Sequence, residues 1–252
     1  MAIRKFIENT SIIIKGIISF ISLIIVSQYF TLLIFIPIPL KKERRKLFYK
    51  KNALWFAKFI LKSHLNVKTH FLNPYKEDFL RPAVMVANHQ TLFDAISISS
   101  LSYKFALVTN DFLKRTIFRF LIRRYIDNIS TDDGNEVLIK ESEKMIKKGY
   151  FPLVFPEGPR RQDNRITRFH KGAFYMAAVL NVDIIPIVVY GSENIHKSKW
   201  FYFKSGDIKV FIGKRLAHVD PKNNEEVRQQ TKNVTEQFRQ IYLKLQAGEN
   251  PV

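Results

Sequence analysis

The stretch Asn88-His89-Gln90-Thr91-Leu92-Phe93-Asp94 decides the fold of the chain around it. The apolar run before it, residues 83–87, is typical of a buried strand, and the apolar residues after it are typical of the start of a helix. Thr91 is a suitable N-cap for that helix. We therefore expect His89 at the end of the strand and Asp94 in the first turn of the helix, where a tight turn brings the two side chains together.

A His-Asp pair of this kind is typical of a general base. An imidazole whose far nitrogen bonds a carboxylate is held in one tautomer and becomes a better base. The chain has no Cys and no Gly-x-Ser-x-Gly elbow, so we expect the substrate to supply the hydroxyl on which His89 acts. On these residues alone a structural role stays open, since an Asp near a helix N-terminus is favoured by the helix dipole in any case.

A second stretch, Phe155-Pro156-Glu157-Gly158-Pro159-Arg160-Arg161, also follows an apolar run, residues 150–154. An open α/β sheet builds its site from such turns at the carboxyl ends of its strands. Two further stretches follow, Phe169-His170-Lys171-Gly172-Ala173-Phe174 and Ile185-Pro186-Ile187-Val188.

Taken together, these four stretches resemble the glycerolipid acyltransferase family, whose bacterial type is 1-acyl-glycerol-3-phosphate acyltransferase. That family has Asn-His-x4-Asp, then Phe-Pro-Glu-Gly-Thr-Arg-Ser, then Phe-Lys-x-Gly, then an apolar-Pro-Ile strand. Order and spacing match between residues 80 and 215, and the set is far more specific than any single member.

The resemblance implies roles for individual residues. His89 is implied as the catalytic base, with Asp94 orienting it. Glu157, Gly158 and Arg160 match the family's Glu-Gly-x-Arg, which is implicated in acceptor binding. A guanidinium can bind a phosphate through two hydrogen bonds, which suits Arg160. Substrate binding is also expected of two further cations, Arg161 and Lys171.

The implied reaction moves a fatty acyl group from a thioester, carried by coenzyme A or acyl carrier protein, to a lysophospholipid hydroxyl. The foremost acceptor is 1-acyl-glycerol-3-phosphate, which would give phosphatidic acid. No permanently bound cofactor and no metal are expected. The alternatives left open are a different lysolipid or phosphate-free acceptor, and an inactive acyltransferase fold kept as a membrane protein.

Three departures from the family pattern bear on the acceptor. Pro159 and Arg161 replace the Thr and Ser of the Glu-Gly motif. The family's Phe-Ile-Asp-Arg is best matched by residues 125–128, which end in Asn128, and a frequent Lys is replaced by Asn110. The two missing cations normally suit a phosphate. Residues that can compensate are Arg161, Arg165, Arg168 and Lys171.

The N-terminal part predicts membrane association. Gly16 to Leu40 contains no charged residue, and Gly16 to Ile36 as a helix spans about 30 Å, the thickness of a bilayer core. We expect residues 1–40 to be a membrane anchor, spanning the bilayer or lying in its interface, with a buried core helix as the alternative. The Lys and Arg that follow place the catalytic part on the cytoplasmic face of the cell membrane.

Two further segments complete the organisation. Residues 41–66 are expected to form a basic amphipathic helix at the membrane surface, or else a solvated helix packed on the core. Residues 67–252 alternate strand and helix patterns, which predicts an α/β catalytic domain, a mixed sheet flanked by helices. Its last helix is predicted to start at Asp220-Pro221.

The charge of +19 is shared unevenly, because residues 1–63 carry twelve Lys and Arg against two acids. A nucleic-acid binder is disfavoured because the chain has no zinc pattern and no basic heptad region, and much of its charge borders an apolar span. Gly16 is the only glycine before Gly134, which excludes a Gly-rich phosphate loop in between. The six His show no His-Glu-x-x-His spacing, so a metal hydrolase is also disfavoured. The expected partners are a lysolipid acceptor, an acyl thioester and membrane lipids, without nucleic acid.

Overall fold

A computed structural model of the chain describes scattered positions between 17 and 33 and residues 39–59, 67–102, 104–110, 126–158, 165–195 and 205–252. The elements within these residues are α1 (Lys42–Phe59), β1 (Val67–Leu72), β2 (Val84–Ala87), α2 (Leu92–Ser99), β3 (Phe105–Thr109), β4 (Asp127–Ser130), α3 (Asn135–Lys147), β5 (Phe151–Val154), α4 (Gly172–Val179), β6 (Ile184–Tyr190), α5 (Ser192–Ile195), β7 (Gly206–Ile212) and α6 (Asn224–Ala247). For residues 111–125 the sequence predicts a helix capped by Asp111, with Arg115, Arg119 and Arg123 recurring every fourth residue on one face, and this segment lies outside the described residues.

The strands form one seven-stranded sheet in the order β1-β7-β6-β2-β5-β3-β4. Five neighbouring strands are parallel to one another, namely β6, β2, β5, β3 and β4. β7 is antiparallel to β6 and parallel to β1, so these two strands run the other way. The predicted mixed sheet flanked by helices is confirmed.

The sheet separates two apolar layers, and β2 in its centre contributes to both. Val84 and Val86 face the layer that contains α4 and α6, whereas Met85 and Ala87 face the layer that contains Phe93 of α2. All four residues of β2 are fully buried. A parallel strand covered on both faces is expected to be continuously apolar, which explains why this run lacks an alternating pattern.

The start of α6 was predicted wrongly. The predicted cap, Asp220, instead accepts a hydrogen bond from the backbone N–H of Lys222 at 2.9 Å, which forms a turn before the helix. The helix begins three residues later, capped by Asn223, whose side chain accepts from the N–H of Glu226 at 3.2 Å. Both residues are good N-caps, so local sequence alone does not choose between them.

Helix α1 packs against α2 and is tied to the sheet by a buried lysine. Lys50 is 3% exposed and pairs with Asp127 at the start of β4, with Tyr150 beside it. The exposed side of α1 is mixed, because Leu47 and Trp55 are exposed along with the basic residues Arg44, Lys51 and Lys58.

Most of the predicted anchor lies outside the described residues. The described positions between 17 and 33 are helical, and several are apolar and exposed, including Ile17, Ile21, Ile25 and Leu32. Within the described part of the chain, no helix combines the length and the apolar character that crossing a bilayer requires.

Candidate active site

The site lies where three neighbouring parallel strands end. β2 lies between β6 and β5 in the sheet, so the residues that follow these strands share one edge. His89 follows β2, Glu157 follows β5, and Ser192 follows β6. This edge is where open α/β sheets place their ligands.

Asn88 fixes the end of β2 to β6. Its side-chain amide donates to the carbonyl of Val189 at 2.8 Å and its amide oxygen accepts from the N–H of the same residue at 2.8 Å. Asn88 is fully buried, so these two bonds satisfy groups that water cannot reach. These side-chain hydrogen bonds continue the pairing of β2 with β6 beyond the last backbone pair. They thereby fix the position at which the chain turns away from the sheet at His89.

Asp94 holds the turn between His89 and α2 together. Its Oδ2 accepts from the N–H of Gln90 at 2.6 Å, from the N–H of Thr91 at 2.7 Å, and from Nδ1 of His89 at 3.3 Å. Thr91 caps α2, since its hydroxyl accepts from the N–H of Phe93, and Asp94 completes the capping box. The predicted cap, helix start and His-Asp contact are confirmed in geometry, and Asp94 is fully buried.

The imidazole of His89 is partly exposed, at 15% of the side chain. It stacks on the ring of Phe155 with centroids 4.0 Å apart and an angle of 18° between the planes. Nδ1 is directed at Asp94, and Phe155 covers one face of the ring. Nε2 is therefore the ring nitrogen that is available to accept a proton. The stacking and the carboxylate together restrict both dihedral angles of the side chain.

Glu157 braces the same turn from β5. One oxygen accepts from the N–H of His89 at 3.0 Å, and the other accepts from the N–H of Thr167 at 2.8 Å and from its hydroxyl at 3.0 Å. Burial raises the pKa of Glu157, and the hydrogen bonds from Thr167 and His89 oppose that rise. Both oxygens of this predicted acceptor-binding residue therefore face donors of the protein itself.

The other predicted substrate-binding residues are distributed more widely. Gly158 follows Glu157 with φ +81°, a left-handed conformation that favours glycine. Lys171 precedes α4 and is exposed, and its ammonium donates to the side chain of Asn224 at 3.3 Å. Arg160 and Arg161 lie outside the described residues.

Sequence reasoning missed a second layer of polar residues behind Asp94. The hydroxyl of Ser192 donates to Oδ1 of Asp94, and Glu193 beside it accepts from the hydroxyl of Tyr242 at 2.8 Å and from the N–H of Gly191 at 3.0 Å. Burial raises the pKa of both Glu193 and Tyr242. The available signal was Gly191-Ser192 directly after an apolar strand, but it has meaning only once that strand is known to lie beside β2.

Fold and site define an α/β protein with a His-Asp pair at the carboxyl edge of a mixed sheet. The sequence pattern of the family described as Acyltransferase matches residues 66–190, which include all three strand ends. Residues 66–190 therefore form a domain of this acyltransferase family.

Relatives and a solved structure agree with this assignment. The chain is 33% identical over 140 residues to the chloroplastic 1-acyl-sn-glycerol-3-phosphate acyltransferase BAT2 of Brassica napus, a match that covers 54% of this chain and 41% of the relative. It is 24% identical over 167 residues to the human 1-acyl-sn-glycerol-3-phosphate acyltransferase beta, covering 63% of this chain and 59% of the relative. The chain thus spans only about two fifths of the length of the plant relative that it matches.

The crystal structure of the 1-acyl-sn-glycerophosphate acyltransferase PlsC from Thermotoga maritima has the same fold. The two structures superpose with a TM-score of 0.74 over 96% of this chain and 97% of that chain, at 22% sequence identity. The likeness therefore extends beyond the region matched by the family pattern.

Proposed function

We propose that the protein transfers a fatty acyl group from an acyl thioester to the free hydroxyl of 1-acyl-glycerol-3-phosphate, giving phosphatidic acid. The observation that carries the proposal is the His89-Asp94 pair, in which a fully buried carboxylate orients a partly exposed imidazole. The relatives named above bear the corresponding activity in their names, which supports the choice of substrate class.

The reaction follows from the tautomer that Asp94 selects. With Nδ1–H donating to Asp94, neutral Nε2 of His89 takes the proton of the acceptor hydroxyl while the oxygen attacks the thioester carbonyl. The tetrahedral intermediate collapses, the carbon–sulfur bond breaks, and the thiolate leaves and takes up the proton from the imidazolium. Coenzyme A and acyl carrier protein both supply such a thioester. No step needs a metal or an acyl-enzyme, so exhaustive chelation is expected to leave turnover intact.

Acceptor recognition is assigned to the turn after β5. Glu157 and Gly158 shape this turn, and Arg160 follows two residues later in the sequence. A phosphate bound by a guanidinium through two hydrogen bonds explains why an Arg is suited to that position. Arg161 and Lys171 are proposed as further cations for the same acceptor.

The alternative acceptor is a lysolipid without a terminal phosphate. It is favoured by the two Asn residues, Asn110 and Asn128, that stand where the family often has cations. The carboxylate of Asp127, beside Asn128, pairs with the ammonium of Lys50. Its Oδ1 also lies 3.2 Å from the ammonium nitrogen of Lys46. A third possibility, an inactive scaffold, is disfavoured because the bonds that orient His89 are all in place.

We also propose that the N-terminal part holds the protein on the cytoplasmic face of a membrane. Support comes from the exposed apolar residues among positions 17–33 and from the mixed outer side of α1. On that side Leu47 and Trp55 can enter the headgroup region while Lys51 and Lys58 meet anionic headgroups. Whether residues 1–40 span the bilayer is part of this proposal, and protease accessibility from the two sides of intact cells tests it.

The function is tested with the full chain in lipid vesicles. Labelled acyl-coenzyme A or acyl carrier protein is offered with lysophosphatidic acid, lysophosphatidylcholine and monoacylglycerol, and the products are measured by lipid mass spectrometry. Phosphatidic acid is expected, and it should nearly vanish in His89→Ala but persist in the control His218→Ala, which lies beside Asp183 at the other end of β6. Normal turnover in His89→Ala would reject the mechanism.

The acceptor is tested with Arg160→Ala and the exposed control Arg228→Ala of α6. Loss of a charged hydrogen bond costs about 1.5–3 kcal/mol, which corresponds to roughly a ten- to hundredfold rise in KM for lysophosphatidic acid. Monoacylglycerol, which lacks the phosphate, should show much less change. An equal loss with both acceptors would reject the phosphate-binding role of Arg160.

A further inference from the structure

We infer that Ser192 is a positioning residue for the reaction, which holds the carboxylate of Asp94 in the orientation that His89 needs. The inference rests on the proposed function, because it assigns Ser192 a role only if His89 acts as the base. Ser192 is fully buried at the start of α5, and its hydroxyl donates to Oδ1 of Asp94.

The two oxygens of Asp94 are held by different parts of the chain. Oδ2 meets the backbone of the turn and the imidazole, all within five residues of Asp94 in sequence. The partner of Oδ1 is Ser192, which lies 98 positions away. A carboxylate held through one oxygen alone can rotate about its terminal bond, which is a soft torsion. The hydroxyl of Ser192 removes that freedom.

The turn that presents Ser192 is itself fixed. Gly191 has φ +94°, and a Cβ at this position would overlap the backbone carbonyl oxygen of Asp207 on β7. Glu193 then accepts from the N–H of Gly191 and from Tyr242 of α6. The position of the Ser192 hydroxyl is therefore restricted by the backbone geometry at Gly191 and by the buried carboxyl group of Glu193.

This arrangement orients Asp94 without adding a cation. A Lys or Arg in place of Ser192 would neutralise the carboxylate and weaken its attraction for the imidazolium that forms during the reaction. A neutral donor restrains the carboxylate and leaves its charge available. The expected consequence is a contribution to kcat, with little contribution to the binding of either substrate.

The experiment compares Ser192→Ala with Ser97→Ala in the full chain reconstituted in vesicles. Ser97 is also fully buried, on the same helix as Asp94, and its hydroxyl has no hydrogen-bond partner among the described residues. With labelled acyl-coenzyme A and lysophosphatidic acid, Ser192→Ala should lower kcat at least tenfold, as expected for a lost hydrogen bond to a charged group, and leave KM within about twofold. Ser97→Ala should leave both constants unchanged.

A double-mutant cycle separates positioning from a general structural effect. In the Asp94→Ala background, where no carboxylate remains for Ser192 to hold, adding Ser192→Ala should change kcat less than about twofold. Ser192→Cys, similar in shape but a weak donor, should behave like Ser192→Ala and covers the case in which the alanine variant does not fold.

Three outcomes would overturn the inference. A kcat within twofold of wild type in Ser192→Ala or Ser192→Cys would do so, as would equal losses in the wild-type and Asp94→Ala backgrounds. If His89→Ala and Asp94→Asn retain normal turnover, the proposed function fails together with it. If those two variants are inactive while Ser192→Ala is normal, only the role of Ser192 is rejected.

Discussion

Replacing Asp94 by Asn separates the two roles that this residue combines. The carboxylate both closes the turn before α2 and faces the imidazole of His89. An Asn oxygen placed at Oδ2 can still accept from Gln90, Thr91 and His89, and its NH₂ group can donate to the hydroxyl of Ser192, which can turn to accept. Asp94→Asn should therefore preserve the fold and remove only the negative charge.

The charge sets the size of the kinetic effect. Nδ1 of His89 and Oδ2 of Asp94 are 3.3 Å apart. At an effective dielectric constant of about 20, unit charges at this distance attract by about 5 kcal/mol, which is the ceiling for what the carboxylate gives to an imidazolium in the transition state. Since about 1.4 kcal/mol corresponds to a tenfold change in rate, we expect kcat to fall on the order of 10²–10³-fold, with KM nearly unchanged.

Asp94→Ala is the comparison that completes the test. It removes the charge and also leaves the buried N–H groups of Gln90 and Thr91 and the hydroxyl of Ser192 without their acceptor. Each such loss costs about 1–3 kcal/mol, so this variant should lose both activity and several degrees of melting temperature. The assay is initial-rate acyl transfer in vesicles alongside thermal unfolding. A kcat within tenfold of wild type for Asp94→Asn, or an unfolding temperature as low as that of Asp94→Ala, would refute the reasoning.

Three further predictions concern stability, and thermal or urea unfolding measures each of them. Lys50→Met should lower the free energy of unfolding by about 3 kcal/mol because it leaves Asp127 buried without its main partner, whereas Lys147→Met, at an exposed pair, should change it by less than about 0.5 kcal/mol. Gly191→Ala should prevent stable folding, and a melting temperature near that of wild type would contradict this. Burial raises the pKa of Glu193, so its contribution to stability is largest below the pKa of an unfolded Glu and is lost as pH rises through the raised folded value. Glu193→Gln should therefore gain stability relative to wild type as pH rises above 4.5, the ordinary pKa of Glu, and a constant difference would contradict this.

The parts of the site that the sequence predicted are those whose partners are close along the chain. Thr91 and Asp94 form a capping box within one turn, and the apolar residues before Asn88 mark a buried strand. Such features depend on local chemistry alone. A short turn has few possible conformations when it must join a strand end to a capped helix and also place a carboxylate near the cap. The contact between His89 and Asp94 follows from the same few residues.

The parts that sequence reasoning missed depend on which strands are neighbours. Glu157 reaches the N–H of His89 because β5 lies beside β2, and Ser192 reaches Asp94 because β6 lies on the other side. Neither adjacency can be derived from local patterns, since β5 and β6 are far from β2 along the chain. The burial of Lys50 was missed for the same reason, because its partner Asp127 is 77 positions away.

The same distinction bears on how the site can vary. In the proposed mechanism, the turn from His89 to Asp94 supplies the base and its orientation from a single local segment, so it can be kept intact while other parts of the chain change. Glu157 accepts from the backbone N–H of His89, a group that every residue except proline presents. This hydrogen bond therefore fixes the position of the backbone and does not depend on which side chain follows Asn88. On the proposed function, we expect the acceptor to be selected by residues outside this turn, in the turns after the neighbouring strands. Two of the departures from the family pattern lie in such turns, Asn110 after β3 and Pro159 after β5. Substitutions at these two positions are accordingly expected to change acceptor preference while the His89-Asp94 pair keeps its rate.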